Sequence, residues 1–146
     1  MLRIRAITNQ DAKHIVKLSA QLGYEPTLED VESRIAELAA LPDKNGLFLC
    51  DLPETEEVIG WIHVYGVQLL ESVAYAEIGG LIVNENNRRQ GCGRLLVETA
   101  EGWASERNYA TLRLRSGQQR KEEAHKFYKS IGYEEARIST LFRKAL

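Results

Sequence analysis

The sequence contains two cysteines, three prolines, one methionine and no long apolar run among its 146 residues. Cys50 and Cys92 lie in unrelated segments without metal-ligand spacing, which predicts reduced thiols, a cytoplasmic protein and no bound metal. No apolar stretch approaches the roughly 20 residues that span a bilayer. The alternating start, Met1 to Arg5, lacks the apolar block of a signal peptide. We therefore expect no membrane association.

The sequence also lacks an excess of positive charge, with 19 Lys and Arg against 21 Asp and Glu. The net charge is −2 at pH 7, so the basic footprint of a nucleic-acid-binding protein is missing, and we expect no nucleic-acid partner. The hydrophobic content of 44% and the charged content of 27% are typical of a globular protein. No linker, repeat or low-complexity stretch divides the chain. We expect residues 1–146 to form a single domain that buries about 68–70% of its extended-chain surface.

Hydrophobic patterns and cap residues predict the order of the elements. Strand-like runs predict six strands, over residues 2–7, 46–52, 58–66, 75–83, 111–114 and 135–143. Helical spacing predicts four helices, the first capped by Thr8, the second by Thr27, the third running from Gly91 to about Asn108 and the fourth over residues 121–130. The order β-α-α-β-β-β-α-β-α-β predicts an α/β protein, an α+β arrangement with a mixed sheet.

The turn between the strand over residues 75–83 and the third helix reads Arg-Arg-Gln-Gly-Cys-Gly. The first N–H groups of a helix have no intrahelical acceptor and point at whatever lies in front of it. Gly91 and Gly93 allow a ligand to approach the backbone closely. Arg88 and Arg89 can add charge-assisted hydrogen bonds to phosphate oxygens. The turn therefore predicts a diphosphate-binding site.

Two other phosphate-binding motifs fit this turn poorly. A dinucleotide-binding Gly-x-Gly-x-x-Gly would require a third glycine where Leu96 stands, and the β-α-β unit with a ribose-binding acid is missing. The Gly-Lys-Ser/Thr of a Walker motif is missing as well. A purely structural turn would leave the two arginines unexplained.

The element order and this turn resemble the GCN5-related N-acetyltransferase (GNAT) family. The family signature, Gln/Arg-x-x-Gly-x-Gly/Ala, matches residues 88–93 in full. A second segment, Ala124 to Tyr128 followed by Gly132 and Tyr133, is similar to the family's Ala-x-x-Phe-Tyr-x-x-x-Gly-Phe/Tyr. The resemblance extends over essentially the whole chain. It implies a mostly antiparallel central sheet with splayed strands 4 and 5, flanked by four helices.

The resemblance implies acetyl-CoA as co-substrate. Its pyrophosphate is expected on the backbone amides of residues 88 to 94, namely Arg88, Arg89, Gln90, Gly91, Cys92, Gly93 and Arg94. Its pantetheine arm is expected along the backbone of Leu81, Ile82 and Val83, whose N–H groups are also the expected donors to the acetyl carbonyl oxygen. The glycine pair Gly79-Gly80 in this strand indicates a bulge or the close approach of another backbone. The side chain of Cys92 is interpreted as packing.

Two side chains are the expected catalytic groups. By resemblance, Tyr128 is expected to place its hydroxyl near the cofactor sulfur and to protonate the departing thiolate; the less favoured alternative is that it belongs to the buried face of its helix. Glu77, eleven residues before Arg88 and within Ala-Glu-Ile, matches the catalytic glutamate of the histone-modifying branch. It is expected to take the amine's proton directly, to act through a water or to attract a cationic substrate; the alternative is a solvated strand residue.

The remaining polar candidates are weaker. His125 lies one helical turn before Tyr128, while His63 and His14 lie in a strand and in the first helix, and each is more often structural than catalytic. Lys121 stands where many family members carry asparagine, which leaves open whether it contacts cofactor phosphates or solvent.

The resemblance implies an acetyl-CoA-dependent N-acetyltransferase that acts on the primary amine of a small molecule. An acidic cluster near Tyr24 favours a cationic amine, or is simply a solvated helix face: Glu25, Glu29, Asp30 and Glu32. Alternatives are an acetyl-CoA-sensing module without turnover and an acetyltransferase of protein lysines or N-termini. The strand predicted at residues 138–142 is expected to join a homodimer interface, again by resemblance.

Overall fold

A computed structural model describes residues 1–118 and 121–146, with Lys121 described by its backbone alone. The chain divides into two compact units, Met1–Leu114 and Arg115–Leu146, which are described in turn. The earlier prediction of one domain over residues 1–146 stays a prediction. No helix in the described ranges has the length and apolar character to cross a membrane.

The first unit contains five strands and three α-helices among its residues. The strands are β1 (Arg3–Ala6), β2 (Asn45–Leu52), β3 (Glu57–Val67), β4 (Tyr75–Val83) and β5 (Leu112–Leu114). The helices are α1 (Ala12–Ser19), α2 (Leu28–Ala39) and α3 (Cys92–Glu106), and short 3₁₀ turns flank α1 and follow β4. These elements confirm the predicted order, and the bounds of β4 agree with the predicted residues 75–83.

One mixed sheet carries the unit, with strand order β1-β2-β3-β4-β5. The first four strands pair antiparallel with their neighbours, whereas β5 pairs parallel with β4 through Ala76–Ile78. This confirms a mostly antiparallel sheet. A register shift in the β3–β4 pair leaves Gly79 without a partner between Ile78 and Gly80, so the predicted glycine pair forms a bulge.

Helices cover the two faces of the sheet. On one face, side chains of α1 and α2 form an apolar core with the sheet residues Leu49, Val58 and Ile82. On the other face α3 packs against β3, where a Cβ built at Gly60 would lie 2.8 Å from the sulfur of Cys92 and 3.2 Å from Leu96. Because side chains alternate along a strand, Trp61 belongs to the first face and Ile62 to the second.

Thr27 caps α2 as predicted, whereas in the turn before α1 it is Asp11 that accepts from Thr8. Asp11 accepts a hydrogen bond from the backbone N–H of Thr8 at 2.8 Å, in the turn that leads into α1. Thr27 accepts from the backbone N–H of Asp30 at 3.1 Å at the start of α2. After α1 the chain ends its helical course at Gly23, which has a φ of 84°. These caps satisfy N–H groups that a helix leaves unpaired.

The second unit contains a π-helical turn, Lys121–His125, that continues into α4 (Lys126–Ser130). The helix ends before Gly132, which has a φ of 99°. The strand predicted at residues 135–143 was wrong, because residues 133–146 carry no strand in the structure. Ile138, Leu141 and Phe142 are exposed instead. An alternating pattern gives strand propensity only, whereas a strand also requires a neighbouring edge with which to pair.

Candidate active site

The turn before α3 has an unusual backbone. Arg89 has a φ of 66° and Gly91 a φ of 90°, both in the left-handed region. Only glycine adopts this region without strain, so an arginine there is held by the surrounding turn. Gly91 is also the N-cap of α3, and its lack of a side chain leaves the first helical N–H groups without a side-chain cap.

The backbone N–H groups of residues 88 to 94 form a cluster of open donors. None of them donates to an acceptor within the described part of the chain. The side chains of Arg88, Arg89 and Gln90 are exposed around the cluster. Arg94 points along the helix, where its Nε donates to Glu98 Oε1 at 3.0 Å. Open N–H groups at a helix start, with cationic side chains beside them, form an anion-binding concavity.

Cys92 anchors this turn to the sheet. Its side chain is 1% exposed, and Cys50, directly opposite Gly60 in the β2–β3 register, is fully buried. The Cys50 contact and burial raise the pKa of the Cys92 thiol well above its usual range. Both cysteines are free thiols. The Cys92 side chain therefore packs under α3, while its N–H group belongs to the open cluster.

The edge of β4 beyond the bulge is open. The parallel ladder with β5 ends at the pair Ile78 and Leu114. Residues 80–83 remain paired with β3 on one side, and on the other side residues 79–83 pair with no strand of the described chain. The two strands thus separate as predicted. The side chain of Ile82 is buried in the core, whereas Leu81 and Val83 are half-buried.

Aromatic rings of β3 cover the glycine pair of β4. A Cβ built at Gly80 would lie 2.8 Å from the indole ring of Trp61. A Cβ built at Gly79 would lie 3.0 Å from Tyr65 Cε1 and 3.3 Å from His63 Nδ1. Larger residues at positions 79 and 80 would displace these rings. The two glycines therefore allow Trp61, His63 and Tyr65 to pack directly on the backbone of β4.

Glu77 lies near this glycine pair on β4. Its side chain is 9% exposed, and Tyr65, its partner in the β3–β4 register, donates its hydroxyl to Glu77 Oε2 at 2.7 Å. Glu77 is therefore a buried, hydrogen-bonded carboxylate and not a solvated strand residue. The role of Tyr65 was missed at the sequence level. The alternation of Trp61, His63 and Tyr65 was visible there, but only the strand register pairs Tyr65 with Glu77.

Tyr128 belongs to the second unit. It is half-buried in α4, its ring lies edge-on to Phe127 at a centroid distance of 5.3 Å, and Tyr133 is 6.3 Å away. In the same unit His125 Nε2 is 3.1 Å from the carbonyl oxygen of Gly117. The side chain of Lys121 lies outside the described residues, so its predicted alternatives are not resolved by the structure.

The first unit therefore joins most of the predicted site. The open edge of β4, with Leu81, Ile82 and Val83, runs directly into the open N–H cluster, and Glu77 lies on the same strand before the bulge. No group of three or more His, Cys, Asp or Glu side chains among the described residues is placed to hold a metal ion. His14 lies apart on α1, where burial lowers its pKa.

Comparison with protein families identifies the family of the chain. The model of the acetyltransferase (GNAT) family matches residues 12–133. Comparison with the sequences of curated proteins gives no significant match.

Solved structures share the fold over the full chain. Glucosamine-6-phosphate N-acetyltransferase from Arabidopsis thaliana has a TM-score of 0.85 at 16% identity, covering 98% of each chain. The aminoglycoside antibiotic 6'-N-acetyltransferase AAC(6')-Ih from Acinetobacter baumannii has a TM-score of 0.85 at 16% identity, covering 100% of this chain and 99% of its own. AAC(6')-Iy in complex with a CoA bisubstrate analogue has a TM-score of 0.85 at 17% identity, with the same coverage. At these identities the likeness establishes the fold.

Proposed function

The chain belongs to the acetyltransferase (GNAT) family, and from this premise we propose that it transfers the acetyl group of acetyl-CoA to a primary amine of a small molecule. The single observation that carries the proposal is the cluster of open N–H groups at residues 88 to 94. The matching family uses acetyl-CoA, and one solved structure of the same fold binds a CoA analogue.

The open N–H groups suit the pyrophosphate of this co-substrate. A hydrogen bond to a charged group contributes about 1.5–3 kcal/mol. The dipole of a helix contributes about 0.3–1 kcal/mol toward an anion. Several converging amides therefore outweigh both the dipole of α3 and any one arginine. We assign Arg88, Arg89, Gln90, Gly91, Cys92, Gly93 and Arg94 to this contact, chiefly through their backbone.

The open edge of β4 suits the pantetheine arm. An amide-containing chain can pair with an unpaired strand edge as an added strand does. We assign this contact to Leu81, Ile82 and Val83, whose backbone on that side has no strand partner in the described chain. A backbone N–H of the same segment is the assigned donor to the acetyl carbonyl oxygen, where negative charge develops.

Glu77 and Tyr128 are the proposed catalytic side chains. An amine is a cation at neutral pH and must lose a proton before its nitrogen can attack a carbonyl carbon. We assign Glu77 to the acceptor amine, because its carboxylate attracts the cation and is one candidate for taking the proton. The hydroxyl of Tyr128 is assigned to the leaving thiolate, as a hydrogen-bond donor that supplies the proton.

A small amine is the favoured acceptor. Two of the similar structures are acetyltransferases of glucosamine-6-phosphate and of an aminoglycoside antibiotic. The acidic cluster of Glu25, Glu29, Asp30 and Glu32 is exposed, so its attraction for a cationic amine is screened by solvent. A cytoplasmic location is part of the proposal, because both cysteines are free thiols and a reducing compartment preserves them.

An amine panel tests the proposal. Purified protein is incubated with acetyl-CoA and one amine at a time, chosen from aminosugars, aminoglycosides, polyamines and lysine peptides, and released thiol is measured with a thiol-reactive dye. We expect amine-dependent thiol release with at least one small amine. Micromolar acetyl-CoA binding without any release would indicate a sensing module. A labelled protein band after incubation with lysate and labelled acetyl-CoA, without small-amine turnover, would indicate a protein acceptor.

A further inference from the structure

His63 lies in the middle of β3, on the sheet face that also carries Tyr65 and, from β4, Glu77. Its register partner is Gly80, and the bulge residue Gly79 lies beside it. The open edge of β4, assigned above to the pantetheine arm, begins at this same bulge. His63 therefore faces the place where the proposed function puts the reacting acetyl group and amine.

Asn45 determines the tautomer of His63. The Asn45 amide Nδ2 donates to the carbonyl oxygens of Leu38 at 3.3 Å and Leu41 at 3.5 Å, at the end of α2. Its Oδ1 is therefore turned to His63 Nε2, 3.0 Å away, and an amide oxygen can only accept. The proton of the neutral imidazole is then on Nε2. Nδ1 carries the lone pair.

Nδ1, which carries the lone pair, lies over the bulge beside the ring of Tyr65. A Cβ at Gly79 would lie 3.3 Å from Nδ1, and glycine leaves that position empty. No hydrogen bond to Nδ1 is found within the described part of the chain. Nδ1 of His63 is thus an oriented proton acceptor next to the bulge. Asn45 holds the opposite side of the imidazole ring and is itself hydrogen-bonded to the end of α2.

The surroundings of His63 also favour the neutral imidazole. Burial lowers the pKa of His63 below its ordinary value. Among the described residues, the titratable or charged groups nearby on this face are Tyr65 on its own strand, Glu77 on β4 and Arg113 on β5. Arg113 is the register partner of Glu77 and lies over the ring of Tyr75. β2 contributes the uncharged Asn45, and α2 contributes carbonyl groups through that amide. A neutral imidazole is the form that can accept a proton.

We propose that His63 is a further catalytic residue, which takes the proton of the acceptor ammonium on Nδ1; this rests on the proposed amine acetyltransferase activity. Nδ1 accepts one proton from the ammonium and releases it to water. The amine nitrogen then forms the C–N bond, the C–S bond of the thioester breaks, and the second N–H proton ends on the thiol. Glu77 attracts the ammonium and holds Tyr65, and it does not take the proton itself.

Kinetic pH profiles test this assignment. Asn45→Asp places a carboxylate on Nε2, which stabilises the imidazolium, so the acidic limb of the kcat/KM profile moves to higher pH by about one unit. Asn108→Asp adds the same charge at an exposed position after α3 and leaves the limb in place. His63→Gln lowers kcat/KM by about 10²–10⁴-fold. Glu77→Gln lowers kcat/KM but retains the acidic limb.

A measurement on the unmodified protein covers the case in which Asn45→Asp does not fold. NMR titration of the His63 imidazole gives its tautomer and its titration midpoint, and we expect the Nε2–H form and a midpoint equal to that of the acidic limb. Two results overturn the role of His63 and leave the proposed function standing, provided that an amine is turned over. One is an acidic limb of the kcat/KM profile that does not move in Asn45→Asp. The other is an NMR midpoint of His63 that differs from the midpoint of that limb. No turnover with any amine overturns both.

Discussion

Two residues of the turn before α3 have left-handed backbone, and the backbone strain of this conformation differs between them. Gly91 adopts a φ of 90° without strain, whereas Arg89, with a φ of 66°, is held there by its neighbours. The exposed arginine side chain can supply charge to a bound anion, but the conformation of the two residues sets the direction of the N–H groups. We therefore expect the proposed anion binding to depend most on backbone direction.

Gly91→Val is expected to weaken acetyl-CoA binding more than Arg89→Ala. A Cβ at Gly91 meets nothing within 4 Å, so the penalty comes from the left-handed backbone alone, about 1–2 kcal/mol for a non-glycine residue. That corresponds to roughly 5–30-fold in affinity. We expect Gly93→Val to exceed Arg89→Ala as well. Calorimetric titration gives the dissociation constants.

Gly23→Val is the matched control for Gly91→Val. Gly23 has a φ of 84° and also has nothing within 4 Å of a Cβ, but it contributes no amide to the open cluster. It should lower stability and leave the acetyl-CoA dissociation constant close to wild type. A larger loss of binding in Arg89→Ala than in Gly91→Val would refute the backbone account of the site.

Among the elements, α3 positions the proposed binding site. Its first residue, Cys92, sits in the space left by Gly60 of β3, directly opposite Cys50. The close seating of helix on strand fixes where the helix begins, and with it the position of the open N–H groups. The turn can keep its geometry only if the buried residue 60 has no side chain.

Gly60→Ala is expected to displace α3. The added Cβ would lie 2.8 Å from the Cys92 sulfur and 2.9 Å from the carbonyl oxygen of Ile82, and a backbone oxygen cannot yield cheaply. Overpacking of this kind costs about 1–3 kcal/mol. Urea unfolding should give a lower midpoint, and acetyl-CoA affinity should fall in the folded variant.

Gly102→Ala is the control within the same helix. Gly102 is exposed in the interior of α3, and its Cβ would meet nothing within 4 Å, so alanine should stabilise by about 0.5–1 kcal/mol through higher helix propensity. Unchanged stability and affinity in Gly60→Ala would show that α3 is not seated as described.

For the first unit as a whole, an ion-pair network joins the edge strand β1 to β2 and to the turn before α1. Arg3 makes a bidentate contact with Asp51, with distances of 2.9 and 2.7 Å, and Arg5 bridges Asp51 and Asp11. The hydrogen bonds from Arg3 lower the pKa of Asp51. Burial alone would raise the pKa of Asp11, but contacts with Arg5 and Thr8 outweigh it and lower that pKa too.

These carboxylates predict a loss of stability in acid. Because folding lowers both pKa values, their contribution is complete above the ordinary aspartate pKa of about 3.9 and is lost as the pH falls toward the folded-state values. Asp51→Asn should therefore have a lower urea midpoint than wild type at pH 7, and the difference should shrink by pH 3. Glu54→Gln, at an exposed pair with the Met1 amino group, should match wild type at pH 7. A constant difference across this pH range would contradict the network's role.

Prediction from the chain succeeded where neighbours in sequence decide the outcome. Thr8 with Asp11, and Thr27 with Asp30, act within one helical turn, so the caps could be read directly. The apolar alternation of residues 75–83 matched β4, since its side-chain period is a property of the strand itself. The open N–H groups before α3 were likewise predicted from the local glycines, whereas binding of a diphosphate at residues 88–93 stays a prediction.

Contacts between distant segments could not be predicted from the sequence. Tyr65 meets Glu77, and Asn45 orients His63, only through the register of β2, β3 and β4. A shift of one residue would turn each side chain to the other face, and no local pattern specifies that shift. The strand expected at residues 135–143 failed for the same reason, since alternation cannot supply a partner edge.

The kind of most elements and the open N–H groups of the turn before α3 thus follow from local residue chemistry, whose range is a few positions along the chain. The bulge at Gly79, the open edge of β4 and the lone pair of His63 over that bulge exist only once the strands are paired. Strand pairing is a long-range choice that depends on burying the faces of the whole sheet. The candidate active site is therefore a product of tertiary structure, built around a turn that the local sequence already specifies.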